Sequence, residues 1–382
     1  MTHALTTPHL PTVGIFGAGA IGAYVGALLS AAGVPVVLLG RERLVAQRDA
    51  LVAVDRRGRE HRLGADAIVT DDPAALADVD LCLVCVKSAA TDDAARTLRE
   101  VLRRPRARVV SLQNGLQNRG RLAAALDQPV SAGVVEFNVA PDGRGRYPQT
   151  VAGKLWLEAG DPRVEALAGA LRRVGQATAL HETIADVMRG KLLLNAINGV
   201  GGATGMATRR LLASRDARWI YARCVREGLA VFKARGENVA RVGGLGPRGL
   251  ALLLRLPDLL FRPLLALSSA DRAAITSTLQ DLRRGRGTEI DELNGEIVRL
   301  AAEVGLDAPI NRLIAETVRD HEVAALAGAS PGYSTPGALR LAGERRLHAH
   351  RQLAAAPHTP RRLEPAPPIV IPGRTRRHME SY

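Results

Sequence analysis

Thr12-Val-Gly-Ile-Phe16 runs directly into Gly17-Ala18-Gly19-Ala20-Ile21-Gly22, and this junction decides the N-terminal half of the chain. The first five residues form a short apolar run of strand type. Ala23 to Ala32 is built of good helix formers and is stopped by Gly33. Val34-Pro-Val-Val-Leu-Leu39 then reads as a second buried strand. A glycine pattern that follows a strand, opens a helix and leads to another strand is the context in which it binds a dinucleotide. Gly17 permits the tight turn, Gly19 lets a pyrophosphate approach the backbone, and Gly22 lets the helix pack on the strand. The helix N-terminus offers unpaired N–H groups to the phosphates, so residues 17–22 are assigned to the cofactor. At the end of the second strand an acidic residue would hold the ribose hydroxyls of NAD. Here Gly40-Arg41-Glu42-Arg43 stands instead, with Arg41 where the 2′-phosphate of NADP would lie and Arg43 beside it. Glu42 offers the competing reading, a carboxylate on the ribose.

Further continuous apolar runs follow at 67–70, 81–86 and 108–112. Continuous rather than alternating apolar runs suit parallel strands covered on both faces. Residues 130–181 read as short strands joined by turns such as Pro141-Asp-Gly143, and from Ile184 to residue 328 the pattern is helical. The expected fold is α/β: a Rossmann-type NADP-binding domain over 1–181, followed by an all-helical substrate and catalytic domain over 182–328. The cleft between them is the expected ligand site. From residue 329 the composition shifts. The last 52 residues hold eight prolines, and nine arginines against three glutamates, so 329–382 reads as a largely disordered tail with one helix around 339–353. Leu250 to Leu267, interrupted by Arg255, Pro257-Asp258 and Arg262-Pro263, reads as two short helices near the cleft, or alternatively as a membrane-surface helix.

The 382 residues carry a formal charge of +14, which on its own suggests nucleic acid. The excess is a bias of the whole chain: 48 of the 52 basic residues are arginine, and only Lys87, Lys154, Lys191 and Lys233 are lysine. Aromatics at 3% also argue against a base-stacking surface, so no nucleic-acid partner is expected. Three cysteines cannot build a disulfide framework, and the N-terminus does not read as a signal peptide. A cytoplasmic protein without a membrane span is expected. Cys82-x-x-Cys85 has metal-like spacing, but it lies in a strand where residues three apart face opposite ways. No metal site is expected.

Two constellations carry chemistry. In Gly190-Lys191-Leu-Leu-Leu-Asn195-Ala-Ile-Asn198, positions i, i+4 and i+7 share a helix face, at roughly 0°, 40° and −20°. One ammonium and two amides therefore project together, and the reading stays open between a solvated polar stripe and a site. A lysine can lower its pKa by desolvation and give up a proton, which arginine cannot. The second constellation, Thr276-Ser277 to Asp281 and Arg286-Gly-Thr288-Glu289-Ile-Asp291, mixes hydroxyls, carboxylates and arginines before an apolar-periodic helix. Alone it also fits a surface in which Thr288 or Asp291 caps a helix and Asp281 partners an arginine.

Taken in order, Gly17 to Gly22, Val86-Lys87-Ser88, Gln113-Asn114-Gly115, Lys191 with Asn195, and Ser277 with Asp281 through Asp291 resemble the ketopantoate reductases (2-dehydropantoate 2-reductases) over residues 12–325. The resemblance implies NADPH in the cleft and reduction of a 2-oxo acid, ketopantoate to pantoate, in pantothenate biosynthesis. It implies Lys191 as general acid and Glu289 as the paired carboxylate. Asn195, Asn198 and Ser277 would hold the substrate, with Lys87 and Asn114 along the nicotinamide side. Well-known members carry their second asparagine eight residues after the lysine, where this chain has Gly199. The glycine-rich run 198–205 is expected to end its helix early, and substrate identity is the feature these departures touch. Rival readings are a reductase of another 2-oxo acid and a non-catalytic NADPH-binding regulator. Monomer and homodimer both occur in the family.

Overall fold

The computed structural model describes residues 10–103, 107–267 and 274–355. Its N-terminal half is built on an eight-stranded sheet. The strands are β1 (Val13–Phe16), β2 (Val36–Leu39), β5 (Ile68–Thr70), β6 (Leu81–Val84), β7 (Arg108–Ser111), β8 (Val130–Val135), β11 (Leu155–Glu158) and β12 (Thr178–His181), in the order β12-β11-β8-β7-β6-β1-β2-β5. From β8 to β5 every pairing is parallel; β11 runs antiparallel to β8 and parallel to β12. Side chains alternate across this sheet. Val13, Ile15, Leu38, Leu81, Leu83 and Val110 join the core under α1 (Ala20–Ala31) and α5 (Pro162–Arg173). Val37, Leu39, Cys82, Val84 and Val109 join the opposite core, under α3 (Thr91–Val101) and α4 (Asn118–Leu126). Both faces are covered, which is why the strands read as continuous apolar runs. The short strands expected over 130–181 are present, but they divide between two sheets. β9 (Asn138–Val139) and β10 (Arg146–Val151) join β3 (Val52–Val54) and β4 (Glu60–Arg62) in a separate four-stranded sheet, ordered β4-β3-β10-β9. A short helix, α2 (Glu42–Val45), follows β2.

The second half is helical: α6 (Ile184–Thr204), α7 (Thr208–Ala213), α8 (Arg215–Ala234), α9 (Gly246–Leu253), α10 (Asp258–Leu267), α11 (Ser277–Arg283), α12 (Glu296–Glu303), α13 (Pro309–Leu326) and α14 (Pro336–Ala355). Leu193 and Val200 of α6, Ile220 and Val225 of α8 and Ile314 and Val318 of α13 belong to one apolar core. The glycine run does not break α6, which continues to Thr204 and closes on Gly205 at φ +66°. Its glycines serve close packing instead. A Cβ at Gly199 would lie 2.3 Å from Asn294 Oδ1, and one at Gly201 would lie 2.4 Å from Thr276 Oγ1. Asn294 thus occupies the space an asparagine side chain would need at position 199.

Two features depart from the sequence reading. The helical body does not stop at 328. α14 continues it to Ala355, with Leu339 buried, Arg340 paired to Asp216 and Arg346 paired to Glu316. The rest of the expected tail, 356–382, lies outside the described residues. The stretch at 250–267 forms two helices as expected, but α10 packs on α7, and both are tied down by Arg218. That guanidinium, wholly buried, donates to the carbonyls of Leu212, Ala213, Leu254 and Leu256, pairs with Asp258 at 2.5 Å, and stacks on Phe261. It satisfies carbonyls at the ends of α7 and α9 that would otherwise be orphaned.

Candidate active site

The glycine turn lies at the ends of β1, β2 and β6. Gly17 N–H and Ala18 N–H both bond the Leu39 carbonyl, at 3.1 and 2.8 Å, which folds the turn over β2. Gly17 sits at φ +88°, and a Cβ there would lie 2.4 Å from Val86 Cγ1. A Cβ at Gly22 would strike the Gly17 carbonyl at 2.7 Å, so helix and turn approach closely. Gly19 differs: it is exposed, and a Cβ there would meet no atom within 4 Å. The first turn of α1 contains no acid, and its leading N–H groups have no intrahelical acceptor. Open space in front of uncapped donors fits an anionic pyrophosphate and would repel nothing that carries negative charge.

Arg41 stands at the N-cap of α2, exposed, and its guanidinium makes no hydrogen bond or ion pair with the described residues. Glu42 beside it is exposed as well. Arg43 turns elsewhere and donates to the Gly143 carbonyl at 3.0 Å, so its suggested help to Arg41 finds no support.

The two halves meet in one polar cluster. The half-buried Glu289 accepts from Ser88 N–H at 3.2 Å and Ser88 Oγ at 3.1 Å through one oxygen, and from Asn114 Nδ2 at 3.0 Å through the other. Asn195, buried on α6, donates to Asn114 Oδ1 at 3.4 Å. Asn118 braces the group by donating to Ser88 Oγ and the Asn114 carbonyl at 2.8 and 2.7 Å. Lys87, at the end of β6, pairs with Asp281 on α11 at 2.5 Å. Asp281 therefore partners a lysine of the other half, not a nearby arginine. Burial raises its carboxyl above the usual range, against the opposing pull of Lys87. Ser277 is one turn earlier on α11, exposed, at i−4 from Asp281 and so on the same face. Thr288 donates twice to Glu322, and Asp291 pairs with Arg319 at 2.5 Å, fixing the loop that presents Glu289.

Lys191 lies one turn before Asn195 on α6. Burial pushes its ammonium below the ordinary lysine value, and the field of Glu136 opposes that shift. Glu136, just past β8, accepts the N–H groups of Lys154 and Gly243 at 3.2 and 3.1 Å. Asn198, further along the same helix, accepts from Thr276 Oγ1 at its backbone carbonyl, at 3.4 Å. Two linked groups thus span the halves, Glu289 with Ser88, Asn114 and Asn195, and Lys87 with Asp281; Lys191 lies one turn before Asn195 and Ser277 one turn before Asp281. Sequence reasoning overlooked Asn118 and Glu136. The latter had one signal, a charged residue closing the apolar run Val134-Val135. Burial pushes the Cys82 thiol up to about 12 and that of Cys85 up as well, so both behave as core. Among the described residues no cluster has the makings of a metal site.

Residues 13–162 match the family model described as ketopantoate reductase PanE/ApbA, and 182–322 match that of its C-terminal domain. The chain belongs to the ketopantoate reductase family. It is an oxidoreductase of that family by its relatives as well. A 2-dehydropantoate 2-reductase of Halobacterium salinarum is 29% identical over 318 residues, covering 79% of this chain and 96% of that protein. The crystal structure of a ketopantoate reductase from Ralstonia eutropha superposes with a TM-score of 0.70 at 30% identity, over 82% of this chain and 99% of that one. D-mandelate dehydrogenase, solved with NADH and anilino(oxo)acetate, shares the fold at 21% identity and a TM-score of 0.69, over 82% of this chain and 99% of that chain. The ketopantoate reductase pattern of a dinucleotide-binding domain followed by a helical domain is the one seen here.

Proposed function

We propose that this family member reduces a 2-oxo acid, ketopantoate (2-dehydropantoate) to pantoate, at the expense of NADPH. The observation that carries the reading is the cluster joining Glu289 and Asn195 of the helical half to Ser88 and Asn114 of the other, with the half-buried Lys191 one helical turn before Asn195. The glycine turn would hold the pyrophosphate and Arg41 the 2′-phosphate, supported by its exposed and uncommitted guanidinium. Bound NADPH supplies a hydride to C2 of the substrate.

The protein's own residues do the rest. As C2 gains the hydride, the carbonyl oxygen gains charge, and Lys191 hydrogen-bonds it and hands over a proton, leaving a neutral amine and a 2-hydroxy acid. Its lowered pKa makes that proton easier to release. Glu289, held by three donors, keeps its orientation and accepts from the substrate hydroxyl. Asn195, Asn198 and Ser277 orient the remaining oxygens, and Lys87 and Asn114 line the nicotinamide side. For this to happen Lys87 exchanges part of its contact with Asp281 for the ligand.

The test is NADPH oxidation with ketopantoate and a panel of 2-oxo acids, on the wild type and Lys191→Ala. The expected result is turnover of ketopantoate that falls on the order of 10²- to 10⁴-fold in the variant. Turnover of other 2-oxo acids alone would reassign the substrate, and cofactor binding without any turnover would leave a regulator. In the same assay Arg41→Ala is expected to raise KM for NADPH while leaving that for NADH unchanged.

A further inference from the structure

Outside the cleft, one surface is at odds with a water-facing role. Twelve large apolar side chains are prominently exposed among the described residues, and six of them fall within 245–267. Leu259, Leu260, Leu264 and Leu267 of α10 are 83, 55, 48 and 86% exposed, and Leu245 and Leu252, at the two ends of the preceding helix α9, 53 and 67%. They are held out on a firm base. Phe261 and Leu265 are buried beneath α10, and Arg218 pins Asp258 and the end of α9 from below. Scattered exposed leucines need no explanation, but this concentration marks a contact surface.

Charge decides what it contacts. The exposed ionic groups of this stretch are Arg248, Arg255 and Arg262, and its single carboxylate, Asp258, is already committed to Arg218 and Arg262. A second copy placed here about a two-fold axis would set arginine against arginine with no free carboxylate to answer them. The exposed apolar side chains of the two helices are leucines, and the one aromatic, Phe261, is turned inward. Leucines flanked by arginines on short surface helices suit the interface of an anionic bilayer: apolar tips enter the acyl boundary while guanidinium groups meet phosphates. No helix among the described residues is long and apolar enough to cross a membrane. We propose that the α9–α10 surface docks this protein peripherally on membranes rich in anionic phospholipid.

The experiment is co-sedimentation of the full chain with vesicles of phosphatidylcholine alone and of an equal mixture with phosphatidylglycerol. Binding is expected to the mixed vesicles and to be much weaker on the neutral ones. Leu259→Ser/Leu264→Ser should weaken it on the order of tenfold or more, with circular dichroism and melting temperature unchanged. Arg248→Gln/Arg255→Gln should abolish the preference for anionic vesicles. Three results would overturn the proposal. They are no sedimentation with either vesicle, equal binding by wild type and leucine variant (which assigns it to the arginine-rich C-terminus), and a dimer in sedimentation velocity that the leucine variant dissociates.

Discussion

Lys191 shows how one side chain reports on several others. Its depressed pKa means that the unfolded chain holds the proton more tightly than the folded one. Between the lowered value and the ordinary 10.5, stability therefore rises with pH. Activity runs the other way, because a general acid must be protonated, and on the proposed mechanism kcat falls as pH passes the pKa of Lys191. Glu136 is the carboxylate that holds this pKa up. Glu136→Gln should move the alkaline limb of the kcat profile to lower pH. A variant that merely loosened β8 would lower activity by the same factor at every pH. At this scale the sequence was legible wherever the residue type was costly to misplace. A lysine in an arginine-rich chain and glycines in a strand–helix turn stood out. Glu136 did not, because the spatial approach of β8 to α6 carries no sequence periodicity.

Helix α6 was the element hardest to read. Four glycines in seven residues, 199, 201, 202 and 205, are poor helix formers, and propensity alone ends the helix near 198. Tertiary packing overrides propensity: Gly199 lies under Asn294, Gly201 under Thr276 and Gly202 under Thr278. The helix gives up intrinsic stability and gains close approach to α11 and to the loop before α12. Gly201→Ala improves propensity by about 1 kcal/mol, yet its methyl would overlap the cap of α11. Net destabilisation of about 1–3 kcal/mol is expected from such overpacking, visible as a melting temperature several degrees lower. Because Thr276 caps the helix that carries Ser277 and Asp281, KM for the 2-oxo acid should rise in the same variant. The strands, by contrast, were legible because burial on both faces leaves an unbroken apolar signature.

On the scale of the whole molecule, composition misled at the C-terminus. The helix expected around 339–353 is present as α14, but it does not stand in a solvated tail: Leu339 is buried in the helical core, and Gly343 comes within 3.3 Å of the Trp219 ring, measured from its would-be Cβ. Arg340 and Arg346 are paired with Asp216 and Glu316. A chain ending at Ser334 should lose more than the roughly 2 kcal/mol that burying one leucine supplies, seen as a lower urea midpoint. The cluster between the halves has a consequence for how the protein is made. Ser88 and Asn114 leave the ribosome long before Glu289, and at cellular rates of synthesis the interval is on the order of ten seconds. During it the finished nucleotide-binding half carries donors with no acceptor and Lys87 with no counter-ion. On the proposed function, the nascent chain then presents its dinucleotide turn before it has anywhere to hold a substrate.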